Sequence, residues 1–286
     1  MRARASFTWI LAATAALAFG FFGVAAVSRP LPVDLADPRA SAEIDVDVEL
    51  VLAVDISYSM DLDELTLQRE GYQAALTSEE FLNAIKDGTH GKVAVTYVEW
   101  AGANDQRVVV PWQVIDGPAS AERFAVGISA APVRRSYRTS ISGALLFSAP
   151  LFDGNGYRGI RRVIDVSGDG TNNQGQLVVV ARDEAVAKGI TINGLPLLLK
   201  RPNFATMDLP DLDVYYEDCV VGGPGAFVVP VQSKEKFREA IRTKLVLEIA
   251  GRQPHVIRVA ADAPRIPCTI GERMWQERWG DGLDRQ

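Results

Sequence analysis

Three short stretches of this chain gather side chains that can do chemistry. The first reads Asp55-Ile56-Ser57-Tyr58-Ser59-Met60, the second Tyr137-Arg138-Thr139-Ser140 and the third Ser167-Gly168-Asp169-Gly170. The candidate ligands Asp55, Ser57, Ser59, Thr139 and Asp169 are all oxygen donors, with no Cys or His among them. Hard divalent cations (Mg2+, Mn2+ or Ca2+) favour that set; zinc and copper favour nitrogen and sulfur. Residues at i, i+2 and i+4 on a tight turn can aim three side chains at one point. Two carboxylates balance one divalent ion, and hydroxyl or water ligands keep its affinity modest. A carboxylate from a partner can then replace a water and complete the shell. Each feature alone has a plainer reading: Ser caps helices, Asp-Gly makes turns, and Ser140 or Ser142 could stand in for Thr139. Only convergence of three loops on one edge favours a site.

The elements that must position these loops alternate between strands and helices. Residues 46–55, VDVELVLAVD, begin in alternation and end as an apolar run, as a central strand buried on both faces would. A helix follows from near Asp61, with acids in its first turn and Ser59 available as its cap. Residues 92–100 and 106–112 read as strands joined by a turn at Asn104-Asp105. Helices are expected over 118–130, 140–152, 176–188 and 233–250, and strands over 161–167, 190–199 and 227–231. The order implies an α/β fold: a doubly wound, mostly parallel sheet with helices on both faces and one antiparallel edge strand. Ligands bind beyond the carboxyl ends of such strands, at the switch point of the strand order. All three oxygen-rich loops are expected there.

The motif DISYS after a buried strand, Thr139 before a helix and Asp169-Gly170 after a later strand resemble a von Willebrand factor type A domain over residues 46–251. That family carries a metal ion-dependent adhesion site with the pattern Asp-x-Ser-x-Ser, then Thr, then Asp. The resemblance implies that Ser57, Ser59 and Thr139 supply hydroxyls to the ion, and that Asp55 and Asp169 hold it directly or through water. It also implies cation-dependent binding of a partner protein that offers a carboxylate, without catalysis. The family usually has glycines just before the threonine, where this chain has Tyr137 and Arg138. The whole chain is similar to the DUF1194 group of exported bacterial domains, and the phrase YYEDCVVGGPGAFVVP at 215–230 fits it.

Other chemistries fare worse. The formal net charge of −6 opposes nucleic-acid binding, which needs a surplus of Lys and Arg. The two histidines, His90 and His255, leave little for a His-dependent mechanism. No Gly-x-Ser-x-Gly elbow, Walker loop or Gly-x-Gly-x-x-Gly occurs. Asp45-Val46-Asp47-Val48 resembles a haloacid dehalogenase phosphatase motif but precedes the buried strand instead of ending it. A metal-dependent hydrolase is the main alternative, and it lacks an identifiable general base. A structural domain with a vacant metal site is the third reading. Asp165 interrupts an apolar strand and needs a partner; a salt bridge, with Arg161 or Arg162 as candidates, is expected ahead of a supporting role behind the metal ligands.

Residues 1–27 are expected to export the chain. Arg2 and Arg4 precede an uncharged run over 7–27, and Val24-Ala25-Ala26 supplies the small residues signal peptidase requires. The run is also long enough to span a bilayer as a retained anchor. Residues 28–45, with Pro30, Pro32 and Pro38, read as a linker. The partner is accordingly expected in the periplasm or cell envelope, with membrane contact only through an uncleaved N-terminal segment. Outside the cytoplasm Cys219 and Cys268, the only cysteines, are expected to pair. Their bridge would tie the tail, 252–286, back to the domain. Trp275 and Trp279 share one helical face of that tail, placed either against the domain or as a small partner patch.

Overall fold

The computed structural model describes residues 43–199, 209–251 and 264–279. The apolar run 7–27, most of the linker and His255 lie outside the described residues, as do parts of the tail. Among the described residues no helix is long and apolar enough to cross a membrane.

Strand β1 (Ile44–Asp55) forms the middle of a five-stranded sheet. It pairs in parallel with β2 (Val93–Trp100) on one side and β4 (Tyr157–Gly168) on the other. Strand β5 (Ile190–Pro196) extends the sheet in parallel beyond β4, and β3 (Gln106–Ile115) closes the other edge antiparallel to β2, so the order is β3-β2-β1-β4-β5. The chain leaves β1 for β2 on one side and returns to β4 on the other. That reversal is the switch point, and it lies beside the ends of β1 and β4.

Alternating side chains of β1 feed two cores. Leu50, Leu52 and Val54 pack with α1 (Leu62–Leu76), α2 (Glu79–Lys86), α3 (Pro118–Ala130) and α7 (Phe237–Ala250). Val51 and Ala53 pack on the opposite face with α4 (Ile141–Ser148), α5 (Val178–Ala187) and α6 (Leu212–Tyr215), which runs on into a π-helical turn, Tyr216–Val220. A last helix, α8 (Ile270–Trp279), belongs to the tail. Cys219 and Cys268 are disulfide-bonded, which ties the start of α8 to the π-helical turn.

The structure departs from the sequence reading in several places: α6 and the π-helical turn after it were not expected, and the helix expected over 140–152 ends at Ser148 and passes into a 3-10 turn. Residues 227–231 form no strand but two isolated bridges, Val228 to Gly194 of β5 and Val231 to Leu197 just past its end. Helix α2 is absent from the expectation; only Phe81 and Ile85 of its eight residues are buried, too few to set a period, although Ser78 caps it. The cap of α1 is Asp61, not Ser59: its side chain accepts from Glu64 N at 2.7 Å, and Glu64 returns the bond to Asp61 N at 2.8 Å. Asp165 pairs with Lys244 of α7, not with Arg161 or Arg162. Arg161 instead donates to the carbonyls of Glu248 and Ile249 at the end of α7.

Candidate metal centre

Asp55 ends β1 and is fully buried. Its Oδ1 accepts from Ser57 N at 2.7 Å, which turns the chain back and aims Ser57 over the end of the sheet. Ser57 Oγ lies 2.7 Å from Ser59 Oγ, and Ser59 Oγ donates to Asp169 Oδ1 at 2.5 Å. The loops after β1 and β4, adjacent strands, thus meet through their side chains. Because Asp61 caps α1, Ser59 is left out of the helix cap and faces Asp169.

The loop carrying Thr139 is held to this edge by its backbone. Ser136 bridges to Ser57: Ser136 N donates to Ile56 O at 3.0 Å and Tyr58 N to Ser136 O at 2.9 Å. Arg69 of α1 donates to the carbonyls of Ala131 at 2.5 Å and Pro132 at 3.0 Å, and ion-pairs with buried Glu99. Thr139 N donates to Asn173 Oδ1 at 3.1 Å and Asn173 N to Thr139 O at 2.9 Å. A Cβ placed on Gly170 would lie 3.5 Å from Thr139 Oγ1, so the threonine hydroxyl borders the residue after Asp169. Ser140 and Ser142 are occupied elsewhere. Ser140 Oγ caps α4 and donates to Gln174 O at 2.8 Å, and Ser142 Oγ donates to the same carbonyl at 3.4 Å.

The electrostatics of this edge are unbalanced. Burial, and then the charge of Asp169, push the Asp55 carboxyl well above the usual carboxylate range, against partial relief from Ser57 and from the Asp169 backbone N–H. Asp55 Oδ2 is buried with no hydrogen-bond partner among the described residues. A Cβ on Gly168 would meet that oxygen at 2.8 Å and Tyr216 OH at 3.0 Å, so only glycine lets β4 approach so closely. Tyr216 OH is likewise buried without a partner. The set lacks a positive charge and offers oxygen alone, which fits a hard cation. Among the described residues no three His, Cys, Asp or Glu side chains cluster to hold a metal; this edge has two carboxylates, and any further ligands would be hydroxyls or water.

All five expected residues therefore lie at the carboxyl end of β1 and β4. The sequence reading missed Gly168, Tyr216 and Asn173. Asn173 carried a legible signal, as part of the polar run Thr171-Asn172-Asn173 directly after Asp169-Gly170. The phosphatase-like motif is elsewhere: Asp47 accepts from His90 N and Lys92 N near the start of β2, at the opposite end of the sheet, and Asp45 pairs with Arg158.

The topology and the three-loop edge define a von Willebrand factor type A-like fold. The pilus adhesin SpaC from Lactobacillus rhamnosus GG superposes with a TM-score of 0.53 at 12% identity, over 72% of this chain and 31% of that one. Proximal thread matrix protein 1 from the mussel byssus, with a zinc-occupied MIDAS motif, superposes with a TM-score of 0.51 at 16% identity, over 73% of this chain and 49% of that one. A von Willebrand factor type A protein from Catenulispora acidiphila gives 0.48 at 14% identity, over 72% and 43%. The chain thus spans half or less of each of these proteins. No curated protein matches it. The chain belongs to the family described as protein of unknown function (DUF1194), whose model matches residues 45–253.

Proposed function

We propose that this edge holds one divalent cation and uses it to bind a carboxylate of a partner protein in the cell envelope. Ser57, Ser59 and Thr139 supply hydroxyl oxygens, and Asp55 and Asp169 hold the ion directly or through water. The cation supplies the positive charge that two adjacent carboxylates call for. The observation that carries this reading is the buried, unpartnered Asp55 Oδ2 beside the Ser57–Ser59–Asp169 chain of hydroxyls. Oxygen donors alone favour Mg2+, with Mn2+ or Ca2+ as substitutes. Zinc in the mussel protein's site shows that such a motif also accepts a softer ion there.

Protein binding is supported by the kind of neighbour the fold has, a pilus adhesin among them. An extracytoplasmic location is supported by the Cys219–Cys268 bridge, since cytosolic thiols stay reduced. Periplasmic or envelope residence is the reading that bridge and the N-terminal apolar sequence support together. The test is co-purification from envelope extracts in Mg2+ and in chelator. A partner retained by the wild-type chain in Mg2+, released by chelator and absent with Ser57→Ala supports the proposal. A partner set identical under all three conditions contradicts it, and so does turnover of ester or phosphoester substrates abolished by Asp55→Ala.

A further inference from the structure

The loop before Thr139 inverts the charge of an acidic chain: Arg134, Arg135 and Arg138 fall within five residues of a protein with 36 acids and 30 bases. The three arginines are used differently. Arg134 pairs with Asp105 at 3.0 Å. Arg135 lies over the Tyr58 ring at 4.6 Å and donates to Tyr58 O at 2.7 Å. Arg138 has no carboxylate or carbonyl partner among the described residues, and its Nη1 is buried without a hydrogen bond. Burial alone acts on its guanidinium, pushing its ionisation downward.

Arg138 is nonetheless held firmly. It is the one non-glycine residue with positive φ among the described residues, at 74°, so the backbone turns sharply just before Thr139. Its guanidinium lies 3.2 Å over the centre of the Trp275 indole. Trp275 reaches it because α8 is moored at this edge: by the Cys219–Cys268 bridge, by Asn172 Nδ2 donating to Glu272 Oε1 at 2.8 Å, and by Gly271, where a Cβ would lie 2.1 Å from Asn172 O. A stack of this kind occupies the face of the guanidinium and leaves its in-plane donors for an anion.

We infer that Arg138, braced by Trp275, is a second anion-binding point beside the metal, and that the partner presents two acidic side chains in one short segment: one for the ion, one for Arg138. This rests on the metal-bridged reading above. Tyr58 and Tyr137, 47% and 75% exposed and stacked at 4.4 Å, flank the same edge and offer aromatic surface to the rest of that segment. A planar, in-plane donor fork beside a cation suits a peptide carboxylate, which Arg binds in bidentate fashion.

The test is selection of peptides from a random displayed library on the disulfide-bonded exported chain in Mg2+, with elution by chelator. The baits are wild type, Arg138→Asn, Trp275→Ala and Ser57→Ala, each checked for cooperative thermal unfolding. Asn tolerates the left-handed backbone at 138. The wild-type pool is expected to carry two acidic positions at fixed spacing. The Arg138→Asn pool keeps one and loses the other, and Trp275→Ala weakens the second. A two-acid peptide is expected to bind Arg138→Asn about tenfold more weakly than wild type, a loss typical of one charge-assisted pair. Its one-acid version should bind both alike, so the cycle isolates the contact. Two acids retained with Arg138→Asn, or no coupling in the cycle, overturns the inference while leaving the metal reading intact. No chelator-released peptide from any bait overturns both. Capture of anionic phosphatidylglycerol vesicles in place of peptides makes a membrane the partner and also overturns it.

Discussion

Two pairs of buried carboxylates lie near the end of β4, and the chain treats them differently. Asp165 and Glu248 sit in the α7 layer with Lys244 between them: Lys244 Nζ lies 2.5 Å from Glu248 and forms an ion pair with Asp165. All three are essentially inaccessible. Asp55 and Asp169 sit four residues further along the sheet edge, where hydroxyls and a tyrosine gather and no lysine or arginine pairs with Asp55. The inner pair, one acid from β4 and one from α7, has its cation supplied by Lys244 of α7. On the proposed reading, the outer pair receives one from solution. If the proposal holds, the contrast separates a group of charges that serves the fold from one that serves binding, although both contain two buried acids.

The largest expected effect breaks the inner pair. Lys244→Met leaves two carboxylates buried without a cation and should cost about 3–5 kcal/mol in denaturant unfolding. At the outer pair the same logic gives the opposite sign. Asp55→Asn removes a buried carboxyl that no lysine or arginine among the described residues pairs with, so the metal-free protein should unfold no more easily than wild type. What it should lose is the stabilisation by Mg2+, about 2.7 kcal/mol at a hundred times the dissociation constant. Destabilisation of the metal-free protein comparable to Lys244→Met would erase the distinction.

Gly168→Ala probes how closely β4 must approach Asp55. A methyl 2.8 Å from Asp55 Oδ2 forces that carboxylate or the strand to move. About 1–3 kcal/mol of stability and most of the Mg2+ response in calorimetry should disappear together. Retention of both would show that the position has slack.

The smallest effect is a pH dependence. Burial, then the charge of Asp165, raise the Glu248 carboxyl to about 7 against relief from Lys244 and Asn193. Tyr72 from α1 and Arg161 from β4 also sense its charge. A carboxyl raised in the folded state binds its proton more tightly there than in the unfolded chain. Its stabilising contribution is complete below the unfolded value near 4.5 and is lost as pH rises through about 7. Glu248→Gln should remove that slope, so its melting temperature falls a few degrees less than that of wild type between pH 5 and 8. Parallel profiles for the two proteins would place the titration elsewhere.

The sheet was legible because β1 and β4 are dense in Val, Ile and Leu and end on polar turns. Helix α3 was legible from Pro118 to Ala130, since Pro favours the first turn. The placement of the five oxygen-bearing residues at one edge was legible because type and spacing survive in one dimension. Partnerships that depend on the third dimension were not. Nothing local says that Lys244, 79 positions beyond Asp165 in the chain, reaches it across the core. Nor does it say that Asp61 outcompetes Ser59 as a cap, though Glu64 three residues later was a usable sign. The role of Arg138 depends on a helix beyond the family's matched residues, brought to the edge by a disulfide.

The most direct test of the central claim is anomalous scattering from crystals of the chain grown with Mn2+. One manganese peak bounded by Ser57, Ser59 and Thr139 oxygens, with Asp55 and Asp169 bound to it directly or through water, is the expected result. Manganese bound only elsewhere on the molecule, with those five side chains ordered and metal-free at saturating concentration, would contradict it.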